Sequence, residues 1–169
     1  EMIRHAADVK GIREIAIFAD DTSLGSAGKA GIQKALAKRN LKLVADQIFK
    51  LNTTEIDKQF AEIKKVNPKA VVLMGVGPPI VAFLKKAHAT GFRPTFYGPT
   101  PLGTAGFRSQ VGPAGEGLFI TQAVPIANQL DSPFPIVKQY QADSTAAGVR
   151  DFDTLALEGY LNATIMAEG

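Results

Sequence analysis

Apolar runs of strand length alternate with helix-period stripes along most of the chain. Glu14–Ala19 (EIAIFA) and Ala70–Met74 (AVVLM) are short, nearly unbroken apolar runs, which predicts buried strands, the second of them central. Leu41–Phe49 (LKLVADQIF) partly alternates, as a strand nearer a sheet edge does. Thr95–Gly98 (TFYG) and Leu118–Gln122 (LFITQ) complete five predicted strands. Between them lie helical stripes. Residues 3 to 10 read as the end of a helix that Gly11 stops. Ser26–Arg39 carries Ala30, Leu36 and Ala37 on one face, and Asn40 reads as its cap. The next helix opens at Asn52–Thr54, repeats Ile56, Phe60 and Ile63 at helical spacing, and ends at Asn67-Pro68. Gly75–Pro78 reads as a turn, and Pro79–Thr90 as a helix with proline in its first turn and Gly91 after it. Pro99–Gly106 reads as a loop, and Phe134–Ser144 and Phe152–Glu168 as closing helices.

Strand-helix alternation of this kind predicts a three-layer α/β/α fold around a mostly parallel five-stranded sheet. The expected strand order is flavodoxin-like, 2-1-3-4-5. A break near Val124-Pro125 divides an α/β domain over residues 1–124 from residues 125–169, whose helices are free to pack elsewhere.

Composition narrows the function. With 46% hydrophobic residues the chain has material for a core, so disorder is excluded. Nineteen basic and sixteen acidic residues leave a small positive excess without basic-aromatic runs, which argues against nucleic acid. No cysteine is present, so thiol catalysis, disulfides and thiolate metal sites are excluded. No stretch reads as a signal peptide or a membrane span. Glu1 is not a natural start, and the chain is expected to be a piece of a longer protein.

In parallel sheets ligands bind beyond the carboxyl ends of the strands. Those ends here offer Asp20, Asp21, Thr22, Ser23, Thr100 and Thr104, among glycines, prolines and apolar residues. Paired acids after a first strand suit a metal in a receiver-type phosphorelay domain. Such a domain also needs an acid where Met74 and Gly75 stand, and a lysine that ITQAVP lacks. Capping of the following helix is the better role for Asp20-Asp21. Gly25, Gly28 and Gly31 do not form a dinucleotide fingerprint, even with Asp46 downstream, and are expected to let a helix lie close to the sheet. Gly75-Val76-Gly77 suits a ligand wall whose main-chain N–H groups favour a carboxylate. His5 and His88 are expected on solvated faces, and no nucleophile-base set assembles. These residues point to a binder without cofactor or metal, not to an enzyme.

Several segments, in order, resemble type I periplasmic solute-binding proteins of the leucine/isoleucine/valine class. They are IREIAIFADDTSLGSAGKAGIQKAL, TTEIDKQFAEIKKVNPKAVVLMG, FLKKAHATGFRPTFYG, GLFITQAVP and LALEGYLNATIMAEG, which together run from Ile12 to Gly169. The resemblance implies the second of two lobes, with a crossover near Ala123–Pro125 and a ligand held between lobes. It implies a substrate-binding component of an ABC importer that hands a small organic solute to a membrane permease, in the periplasm or on the extracellular face. The same fold also serves ligand-sensing regulatory and receptor domains, the alternative role. It implies that Ser23, Leu24, Val76, Gly77, Pro78 and Thr100 line the ligand side. Amino-acid binders of the class carry tyrosine at the position of Leu24, an aromatic residue at Val76 or Gly77, and an ammonium-gripping acid near Thr100. This chain departs at all three, which favours an aromatic or aliphatic carboxylate over a free amino acid. An isolated lobe is expected to bind weakly and to self-associate through its uncovered cleft face.

Overall fold

The computed structural model describes residues 1–168. Five parallel strands form one sheet in the order β2-β1-β3-β4-β5, the order expected. β1 (Ile15–Asp20) and β3 (Ala70–Met74) are buried at every position. Neither has a polar face to give to water, so both take central places. β2 (Leu43–Phe49) alternates half-buried and exposed residues and lies at one edge. β4 (Thr95–Gly98) follows β3, and β5 (Phe119–Ile120) closes the other edge.

Helices cover both faces. α1 (Met2–Arg4) runs into a π-helical turn, His5–Val9, and packs with α2 (Ser23–Ala37) on one face. Ile3, Ile32 and Leu36 meet Ile15, Ile17, Val72 and Tyr97 there. α3 (Asp57–Val66), α4 (Pro78–Ala89) and α5 (Ala105–Val111) cover the other face. That side is aromatic: the Phe18 ring centroid lies 4.3 Å from Phe49 and 4.5 Å from Phe83. Such pairs add roughly 0.5–1.5 kcal/mol each beyond the area they bury. α6 (Pro135–Ala146) and α7 (Thr154–Glu168) form a smaller third cluster around Ala127, Val137, Tyr140 and Leu157.

Several boundaries differ from those expected, each for a local reason. α2 begins at Ser23, not Ser26, because Thr22 caps it through the Leu24 N–H. α3 begins at Asp57, because Thr53 and Thr54 accept from the Glu55 and Ile56 amides and hold a non-helical turn first. The segment read as a loop at Pro99–Gly106 holds a 3-10 turn, Thr100–Gly103, and the start of α5. β5 is two residues long, since it pairs only with the end of the short β4. His5 is not on a solvated face: it is half-buried, with Nδ1 3.0 Å from the Tyr97 hydroxyl and its ring 4.7 Å from that of Phe119.

Candidate functional site

Register brings the functional segments to one edge. Ala19 pairs with Met74, and Gly98 pairs with Ile120. The loops after β1, β3 and β4 therefore leave the sheet side by side at its carboxyl end.

The first loop is built around Asp20. Its carboxylate is buried, with 2% of the residue exposed. Oδ1 accepts from the Thr22 N–H (3.1 Å), the Thr22 hydroxyl (2.6 Å) and the Gly25 N–H (2.9 Å). Asp20 thus stabilises the start of α2, the role expected of it. Ser23 and Leu24 are carried on the exposed first turn, Leu24 at 42% exposure. Gly25 has to be glycine: a Cβ would lie 2.0 Å from the Asp20 carbonyl oxygen. A Cβ on Gly28 would lie 2.1 Å from the Met74 methyl, so this residue too lets α2 approach the sheet. Gly31 does not share that role, because a Cβ there meets nothing within 4 Å. Asp46, the acid weighed as a ribose partner, is ion-paired with Lys29 of α2.

The second loop carries Val76 and Gly77, both half-buried, and Pro78, exposed at the head of α4. Gly77 adopts φ +80°, a conformation that disfavours any side chain. Within the first turn of α4 itself few N–H groups are free. Pro78 and Pro79 have no N–H, and the Ile80 and Val81 amides both bond to the Gly77 carbonyl, at 3.2 and 3.5 Å. At α2 the Leu24, Gly25 and Ser26 amides are likewise satisfied internally. Both helix starts present apolar side chains and few free donors.

Thr100 opens the 3-10 turn and is buried. Its hydroxyl donates to the Thr121 carbonyl at 3.3 Å, tying the end of β4 to the exit of β5. The oxygen keeps lone pairs with which to accept. The sheet gathers all six predicted residues at this end, in three segments. Ser23, Leu24 and Pro78 are exposed there, Val76 and Gly77 are half-buried, and Thr100 is buried in the turn against which α7 packs. A cavity of about 690 Å³ opens at the far end of α2, around Asn40, Leu41 and Leu43, and one of about 410 Å³ lies between Asp20, Lys29 and Ile48. Neither takes in any of the six.

Two features escaped the sequence reading. Gly75 is closed in by Asp20 and Phe49, a contact between segments with no local signal. Glu158 of α7 has a buried Oε1 without a hydrogen-bond partner, and only its place in the quoted segment LALEGYLNATIMAEG hints at it. Among the described residues, no group of three or more His, Asp or Glu side chains is placed to hold a metal ion. No helix among them is long and apolar enough to cross a membrane.

A three-layer α/β/α fold around a parallel five-stranded sheet is the architecture of one lobe of a solute-binding protein. The chain belongs to the periplasmic binding protein family, whose profile matches residues 1–169. This membership assigns it to the periplasm or the extracellular face of the membrane. The Leu/Ile/Val-binding protein of Citrobacter freundii is 29% identical over 134 residues, covering 77% of this chain and 35% of that protein. A possible leucine/isoleucine/valine-binding protein of Rhodopirellula baltica SH 1 superposes with a TM-score of 0.81 at 25% identity, over 95% of this chain and 45% of that one. The fold is also that of an ABC-transporter solute-binding protein of R. palustris solved with benzoate, at TM-score 0.77 and 19% identity, over 96% and 44% of the two chains. The chain thus spans about a third of the curated relative and under half of these solved structures.

Proposed function

We propose that this chain is the second lobe of the substrate-binding component of an ABC importer of the leucine/isoleucine/valine class. The intact protein captures a small organic solute between two lobes and presents it to a membrane permease, without chemical turnover. Ser23, Leu24, Val76, Gly77, Pro78 and Thr100 form this lobe's share of the ligand wall. The observation that carries this reading is the character of the wall. Leu24, Val76 and Pro78 offer apolar surface, the Leu24, Gly25, Ser26, Ile80 and Val81 amides are occupied within their own helix starts, and Thr100 offers a neutral oxygen. Such a wall suits the hydrocarbon part of a ligand and leaves its charged group to the other lobe. A carboxylate without a free ammonium, aliphatic or aromatic, fits better than an amino acid. A neutral oxygen can accept from an ammonium but brings no opposite charge, so it holds one less strongly than a carboxylate does.

Calorimetry on the intact two-lobed protein with benzoate and L-leucine tests this. Benzoate is expected to bind more tightly than leucine. Leu24→Ala is expected to weaken benzoate by about 1–3 kcal/mol through lost apolar contact. Thr100→Glu is expected to weaken it by about 1–3 kcal/mol or more, by burying an unpaired charge. Unchanged affinity in both variants would refute the placement of the site. Tight leucine binding by the unmodified protein would refute the ligand class.

A further inference from the structure

We propose that Asp20 is a positioning residue that sets the spacing between the two ligand loops, the first turn of α2 and Val76–Pro78. The proposal rests on these loops being the ligand wall. Asp20 does more than a helix cap requires. Thr22 already caps α2 through the Leu24 N–H, and a capping side chain has no need of burial. Yet Asp20 is 2% exposed, and its Oδ2 is buried without any hydrogen-bond partner. A buried carboxylate oxygen left unpaired is costly, so its retention calls for a reason.

The surroundings supply one. Oδ1 holds Thr22 and Gly25, and so the turn that carries Ser23 and Leu24. Oδ2 faces the other loop: a Cβ built on Gly75 would lie 2.9 Å from it and 2.6 Å from Cζ of Phe49. Gly75 is therefore clamped between the Asp20 carboxylate and the Phe49 ring, immediately before Val76. The Asp21 N–H donates to the Phe49 carbonyl at 3.0 Å and fastens the end of β2 to the same point. One carboxylate thus touches the root of both loops. Its size fixes how far apart Leu24 and Val76 are held, and with that the width of ligand the wall accepts.

Amide exchange followed by NMR on the intact two-lobed protein, without ligand, tests this independently of what the protein binds. Asp20→Asn keeps an oxygen for Thr22 and Gly25 but sets an NH₂ against Gly75. Exchange at Ile80 and Val81, the amides anchored on Gly77, is expected to rise about tenfold in this variant, with Tyr97 and Gly98 unchanged. Gly75→Ala is expected to speed exchange reciprocally at Gly25 and Ser26. Asp20→Ala is expected to loosen both loops; should it fail to fold, the other two variants decide. Loss of protection confined to residues 22–26 in the Asp20 variants would reduce Asp20 to a cap and overturn the proposal. Uniform loss that includes Tyr97 and Gly98 would overturn it as well, since only global stability would then be at stake.

Discussion

Gly25, Gly28 and Gly31 stand three apart on α2, yet the sheet treats each differently. Alanine at Gly25 runs into the backbone oxygen of Asp20, which has nowhere to go; a loss of about 3 kcal/mol or more is expected. At Gly28 the obstacle is the tip of Met74, a flexible side chain, and about 1–2 kcal/mol is expected. Gly31→Ala meets open space and is expected to stabilise the chain by about 0.5–1 kcal/mol. Denaturant melts of the three variants check the ranking. The regular spacing was visible in the sequence, but what each glycine touches depends on β1 and β3 arriving from elsewhere. The same holds for Asp20: its cap was legible from an acid before a helix, its burial against Gly75 was not. Tyr97 makes a pH prediction. Burial pushes its phenol above the ordinary value of about 10. The unfolded chain gives up that proton first, so the stabilisation is complete below about pH 10 and is lost as pH rises through the raised folded value. Tyr97→Phe is expected to flatten the alkaline decline of Tm. It should cost about 1 kcal/mol at neutral pH through the lost bond to His5. Tyr160, raised by its hydrogen bond to Asp143 and by desolvation, keeps its own share of the decline.

Among the elements, those with a strong internal period were legible. β1 and β3 announced themselves as apolar runs, and α3 by Ile56, Phe60 and Ile63. Asn40 and Asn67, read as stop signals, adopt φ of 55° and 47°, the left-handed geometry that ends a helix. α5 was not legible, because it is seven residues long and its flanks are full of glycine and proline. Its existence depends on Thr104, whose hydroxyl accepts from the Phe107 N–H at 3.3 Å, and on Phe107 and Val111 entering the aromatic core. Thr104→Ala is expected to cost about 1 kcal/mol of stability. Thermal melts of that variant beside Thr104→Ser, which keeps the acceptor and should cost less, check the assignment.

At the scale of the molecule, strand-helix alternation made the parallel sheet legible, and right-handed crossovers leave few ways to lay it out, though spacing alone does not fix the strand order. What the wall binds was not legible, because half of a cleft carries half of the chemistry. Beyond Val124 the chain builds the small cluster around Val137, Tyr140 and Leu157, with α7 also packed against the Thr100–Gly103 turn. It leaves Leu130, Phe134, Ile165 and Met166 largely exposed. So much uncovered apolar surface favours association. The isolated chain is expected to show mass that rises with concentration in sedimentation, and Ile165→Ser with Met166→Ser should suppress it. A monomer at all concentrations would refute this.

β5 pairs with β4 through Phe119 and Ile120, one further main-chain bond runs from the Thr121 N–H to the Gly98 carbonyl, and the chain then leaves the sheet. Few ladder bonds hold that edge, each worth roughly 0.5–1.5 kcal/mol, whereas β1 and β3 are locked in by neighbours on both sides. Mechanically, β5 is the compliant end of a stiff plate. A pull on the departing segment is absorbed by fraying at Phe119 and Ile120 before it reaches β1 or β3. The loops that carry Leu24 and Val76 are rooted in those stiff strands, so they hold their shape while the exit strand gives way.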